Sequence, residues 1–179
     1  MADSILWQIL EKTVERLRKI DFQQQPGDVV MKIKSDAIVI RKLRNNGKLQ
    51  QPGNEADSQE IFPGILVTPA ETFGSRPPQA GTNAMDDATY PVLLQVVARD
   101  DGDRVRQTNL RTYTKWCELI CRAFQNQDFE GTITGDQGQV YIGYAQQTFA
   151  PDRGKFVIHK QFQIGVVCTF LSREPRGLQ

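Results

Sequence analysis

Apolar side chains recur every three or four positions at the start of the chain. Leu6, Leu10, Val14 and Leu17 form a stripe with spacings of four, four and three, the period of one helix face. Ile5, Ile9, Lys12 and Arg16 follow a second, mixed line. The pattern predicts an amphipathic helix over 4–20. Ser4 or Asp3 would cap its free amides, and Arg16, Arg18 and Lys19 suit the negative end of its dipole. Pro26 then stops it. The period changes to two over 28–34 and 36–43, where Val29, Met31 and Ile33 alternate with Val30, Lys32 and Lys34. These read as two short strands joined by a tight hairpin at Ser35-Asp36. Asn45-Asn46-Gly47 marks the next turn.

Residues 44–89 differ in texture. Pro52, Pro63, Pro69, Pro77 and Pro78 fall here, with Gly53, Gly64, Gly74 and Gly81. One apolar run, Ile61 to Val67, is long enough for a strand. The remainder, above all 72–89, is expected to be a long loop or arm, which either orders against a neighbouring subunit or is a mobile surface loop. Beyond it, residues 90–99 (YPVLLQVVAR) are nearly continuous in apolarity. That predicts a central strand with both faces partly covered, with Pro91 at its edge or first residue. A second helix is expected from Thr108 or Asn109 to about Asn126. Leu110, Tyr113, Trp116, Cys117, Ile120, Ala123 and Phe124 trace its apolar face, and Lys115 is placed to reach Glu118.

A strand near 138–145 follows. The clearest alternation is last: Phe156, Ile158, Phe162, Ile164, Val166, Cys168 and Phe170 share one parity over 155–171. This reads as one very long strand, or two joined by a bend near Gly165. Pro175 and Gly177 end it. The resulting order predicts an α+β fold: a mostly antiparallel mixed β-sheet covered on one face by two α-helices, with a long Pro/Gly-rich loop or arm. Leu94, Val96, Trp116, Ile120, Phe124, Phe162 and Ile164 are its expected core.

Composition narrows the class without naming an activity. At 179 residues and 20.3 kDa the chain suits a single domain, 1–179, with 44–89 as an insertion within it. The net charge is +1, from 22 basic and 21 acidic side chains, so neither a basic nucleic-acid tail nor an acidic chain dominates. The first 50 residues hold ten basic and six acidic groups, and residues 51–110 hold four and nine. Opposed charges of this kind suit head-to-tail self-association. No 18-residue apolar run spans a membrane, and the opening MADSILWQILEK lacks a signal-peptide pattern.

No reactive constellation stands out, so no catalytic, metal or cofactor-binding residue is assigned. Cys117, Cys121 and Cys168 are too few for a disulfide framework and read as small buried thiols in a reducing compartment. His159, the sole histidine, has the opposite strand parity to Cys168. Asp86, Asp87, Asp100, Asp101 and Asp103 hint at a divalent-metal module, yet the DDGD turn does not match the calcium-loop spacing. GTITGDQG lacks the lysine of a phosphate cradle. Arg41, Lys42, Arg44 and Lys48 form a basic group at a strand end, suited to an exposed hairpin tip, a partner's acidic patch or passing phosphates.

The segments YPVLLQVVARDDGDR, NLRTYTKWCELICRAFQNQ and the final strand ending CTFLSREPRG resemble the tail terminator, or tail-completion, proteins of long-tailed bacteriophages and related prophages. The opening MADSILWQILEKTVERLRKI is similar to that family as well. The likeness covers 1–20, 90–126 and 138–177; 44–89 is longer and richer in proline than the family pattern. The resemblance implies a structural virion protein, assembled in the host cytoplasm and resident at the tail neck. It would form a ring, commonly hexameric, that caps the tail tube, ends its growth and joins the tail to the head connector. Double-stranded DNA would pass through without being read. Arg41, Lys42, Arg44 and Lys48 would then face an adjoining ring or the channel. The 72–89 arm and the 155–171 strand would contact sister subunits. Another phage neck, tail-tube or baseplate component is the alternative, and a divalent-metal-binding module a further one.

Overall fold

The computed structural model describes residues 4–23, 32–40, 63–70, 74–75, 85–99, 107–125, 133–135, 138–139, 141–151 and 161–175. Two helices and a mixed, mostly antiparallel sheet are built from them. Helix α1 is Ile5–Arg18 and α2 is Gln107–Phe124. The strands are β1 (Ile38–Ile40), β2 (Gly64–Pro69), β3 (Gly74–Ser75), β4 (Met85–Arg99), β5 (Thr134–Gly135), β6 (Gly138–Gln139), β7 (Tyr141–Pro151) and β8 (Gln161–Pro175). The main sheet runs β1-β2-β4-β8-β7, with β3 also on β4; β5 and β6 pair separately. Among the described strands only β1 and β2 pair in parallel.

The sheet is organised by its two longest strands. β4 and β8 pair antiparallel over all fifteen of their residues, from Met85↔Pro175 to Arg99↔Gln161, without a shift in register. A ladder of that length extends about 50 Å at roughly 3.4 Å per residue. The alternation of side chains does the rest. Tyr90, Val92, Leu94, Val96 and Ala98 of β4 are buried on one face, as are Val166, Cys168 and Phe170 of β8. Register sets Leu94 opposite Val166, Val92 opposite Cys168 and Tyr90 opposite Phe170, so two apolar rows make one surface. Ile65 and Val67 of β2 and Ile38 of β1 extend it.

The helices cover that surface because each has one apolar side. In α1 the buried residues are Ile9, Leu10, Thr13, Val14 and Leu17, a wider face than the predicted stripe. Thr13 enters it because its hydroxyl donates to the Ile9 carbonyl (2.7 Å), which satisfies the polar atom inside the helix. Ser4 is the cap, accepting from the Trp7 N–H (3.3 Å). In α2 the buried residues are Thr112, Tyr113, Trp116, Cys117, Ile120 and Phe124, and Lys115 meets Glu118 at 3.5 Å. Trp116 is the centre of the packing. Phe22 meets it edge-on at 6.5 Å and Tyr113 lies 5.8 Å away. Its Nε1–H donates to the Gln23 carbonyl (3.1 Å), so the one polar atom of the ring is paired. Of the expected core, Leu94, Val96, Trp116, Ile120 and Phe124 are buried. Phe162 and Ile164 sit in β8 opposite Ala98 and Val96.

Several expectations are corrected. Residues 32–34 are not a strand, Ser35–Ala37 is a 3-10 turn, and β1 pairs in parallel with β2 rather than in a hairpin. The reason is that α1 and the turn carry β1 to the far side of β2, and a parallel neighbour needs no tight turn. Residues 85–89 of the expected arm belong to β4, and Gly74–Ser75 pairs with Thr89 and Ala88. Pro91 therefore lies inside a central strand. It is accommodated where β2 gives way to β3: the register moves from Pro69↔Val92 to Gly74↔Thr89. The Pro91 carbonyl accepts from the Ala70 N–H (2.9 Å), so its missing N–H faces this break and not the β8 ladder. β8 runs straight through Gly165 and continues to Pro175. β7 begins at Tyr141 and reaches Pro151, with one irregularity between Gly143 and Gln146 where two residues oppose one.

Removing Trp116 tests this packing. Trp116→Ala is expected to lose roughly 3–5 kcal/mol of stability in urea denaturation. Trp7, 44% exposed, is the contrast, and Trp7→Ala should shift stability by about 0.5 kcal/mol or less.

Candidate functional site

The basic group Arg41, Lys42, Arg44 and Lys48 lies outside the described residues. What the structure does describe is how the chain is delivered to it. Arg18, in the last turn of α1, reaches across to β1. Its Nε donates to the Ser35 carbonyl and its Nη2 to the Ile38 carbonyl, both at 3.1 Å. A planar guanidinium can serve two carbonyls at once, so one side chain clamps the 3-10 turn and the start of β1 onto α1. Nearby, Lys32 pairs with Asp21 at 2.8 Å. That hydrogen bond holds the Asp21 carboxyl below its usual range.

Direction follows from pairing. β1 is parallel to β2, and β2 is antiparallel to β4. The chain leaving Ile40 is thus headed toward the end of the sheet where β4 begins and β8 finishes. At that end the register sets Asp87 opposite Arg173 and Asp86 opposite Glu174. The sheet therefore brings the exit toward the basic segment and an acid-rich pair of strand ends to the same side. Asp86 and Asp87 are strand residues here, not members of an arm.

The β8 part of the expected subunit-contact strand is occupied within the chain. Its backbone pairs with β4 on one side and with β7 on the other. Residues 155–160 of that expectation lie outside the described residues, as do 72–73 and 76–84 of the arm.

None of the three cysteines is in a disulfide. Cys117 and Cys168 are buried, and burial, reinforced by the neighbouring Cys121, pushes each up to about 12. Cys121 is half-buried and is also raised, first by desolvation and then by the Glu118 carboxylate. Protonated thiols in an apolar layer pack as small side chains. Alongside them Phe124 meets Phe170 edge-on at 6.2 Å, and the Arg16 guanidinium lies 5.6 Å from the Phe124 ring centre. Phe124 thereby links α1, α2 and β8.

Among the described residues no group of three His, Cys, Asp or Glu side chains is arranged to hold a metal ion, and no helix is long and apolar enough to cross a membrane. His159, Asp100, Asp101 and Asp103 lie outside them. The sequence reading missed the Arg18 clamp and the roles of Phe22 and Gln23. Arg16 and Arg18 were legible only as helix-end charges, since nothing in their spacing reveals a carbonyl seventeen or twenty residues away.

No family model matches this chain, and no curated protein is recognisably similar to it in sequence.

Two outcomes follow from this geometry. Arg18→Ala leaves the Ser35 and Ile38 carbonyls without their donor. It should cost roughly 1–2 kcal/mol and speed hydrogen exchange at Ile38–Ile40 before the rest of the sheet. The thiols generate a pH dependence. The folded state holds the Cys117 and Cys168 protons to about 12, while the unfolded chain releases them from the ordinary value of 9.0. Their contribution is complete below pH 9 and is lost as pH rises toward 12. A Cys117→Ala/Cys168→Ala variant should show a smaller alkaline fall in denaturation midpoint than the parent. In the folded parent, Cys121 should react first with a thiol-specific disulfide reagent.

Proposed function

We propose that this chain is a structural virion protein that acts by assembly, forming a ring that caps a phage tail tube, ends its growth and joins the tail to the head connector. The reading rests on the resemblance to tail terminators and on one structural observation that agrees with it. The elements that carry the resemblance form a single packed unit. Helix α1, the long strand β4, the Trp-centred helix α2 and the final strand β8 build one two-layer body. In this reading the side chains that matter are those that shape surfaces, not a reactive cluster. The partners are further copies of the chain, the tail-tube protein and the head-connector protein. DNA passes and is touched at its phosphates at most, by the segment holding Arg41, Lys42, Arg44 and Lys48. The protein then resides at the tail neck of the virion, after assembly in the host cytoplasm.

The experiment is reconstitution. The purified chain is mixed with assembling tail-tube protein from the same genome and imaged by negative stain. The expected result is one ring at one end of each tube and tubes that stop lengthening. A chain that binds neither tube nor connector protein, or that stacks along the whole tube, overturns the proposal. Substituting Arg41, Lys42, Arg44 and Lys48 together by Ser should leave folding intact and weaken tube capping, most visibly at low salt, where the parent's charges are least screened.

A further inference from the structure

β7 closes one edge of the main sheet, and among the described residues its only strand neighbour is β8. Such an edge turns alternate backbone N–H and C=O groups outward, where they can receive another strand. Edges are ordinarily blunted by charge, proline or a bulge. In β7 the irregularity between Gly143 and Gln146 disturbs one half and Pro151 ends the other. Between them Gln146–Ala150 runs in regular register against Thr169–Gly165.

What this edge lacks is charge. Residues 137–151 contain no Asp, Glu, Lys or Arg, and at 15 residues this is the longest such run in a chain that is 24% charged. The next longest runs, 161–172 and 88–98, fall on β8 and β4. Those two strands have neighbours on both sides, and burial accounts for their composition. Among the described residues β7 has a strand neighbour on one side only, so the same account is incomplete for it.

We propose that the Gln146–Ala150 edge pairs antiparallel with the same edge of a second copy of this chain, about a two-fold axis. The occupant follows from electrostatics. Two-fold pairing sets residues near the axis against their own equivalents, so any charge there would meet its own sign. A charge-free edge is the composition that permits this contact. The opposite edge of the sheet, β1, has three residues and is followed directly by Arg41 and Lys42, so the matched partner for β7 is β7. A pair of five-residue edges forms about five backbone hydrogen bonds, which makes a weak dimer that appears at high concentration. The contact closes at two copies, so it describes the free chain and stands apart from the ring reading.

The test uses Thr148, the central residue of the segment. In sedimentation velocity at high concentration the parent should reach twice the 20.3 kDa chain mass. Thr148→Lys and Thr148→Glu alone should remain at the chain mass, and an equal mixture of the two should regain the doubled mass. In the parent, hydrogen exchange at residues 146–150 should slow as concentration rises. A parent that stays at the chain mass, single variants that keep the doubled mass, or exchange at 146–150 that ignores concentration would each overturn the proposal. The exchange measurement holds even where a variant fails to fold. Tube capping is scored separately, so this contact and the ring reading fail independently.

Discussion

The β4–β8 ladder is the constraint on which the rest of the structure depends. Fifteen residue pairs share one register, and a strand's side chains alternate with period two. A slip by a single residue would carry Tyr90, Val92, Leu94 and Val96 to the other face and expose the surface on which both helices rest. The remaining strands are placed by the two free sides of this ladder. β2 and β3 take the outer side of β4, and β7 takes the outer side of β8. β1 is one strand further out and is held by its three pairs with β2 and by the Arg18 clamp.

The second layer is secured by a few aromatic contacts between parts of the chain that are distant in sequence. Trp116 receives Phe22 and Tyr113 and donates to Gln23, which closes the turn after α1 onto α2. Phe124 carries Arg16 on one side and Phe170 on the other. The cysteines belong to this layer, and their raised pKa values are the signature of burial rather than of activation. Chemistry that needs a thiolate at neutral pH is thus disfavoured where the thiols lie.

Leu66 and Val97 are buried on the β2–β4 side without belonging to the helix-side cluster, so the sheet is apolar on both faces at its centre. Its two edges are unlike. β1 is short and tied to a helix, whereas β7 is long, charge-free and bent once.

Much of this could be read along the chain because it is set by neighbours. Both helices follow from their apolar spacing, and Ser4 and the Lys115–Glu118 pair from local rules. The central position of β4 follows from its continuous apolarity, and the parity of β8 from strict alternation. The mixed sheet with two helices on one face was legible for the same reason. Tertiary structure alone decided the parallel pairing of β1 with β2 and the extension of β4 back to Met85. It also placed Pro91 at the β2–β3 break, and Arg18 on two carbonyls of a later turn. Each of these depends on which distant backbone groups are left without partners once the ladder has formed, and periodicity carries no record of that. The direction in which β1 ends at Ile40 is likewise set only by the sheet.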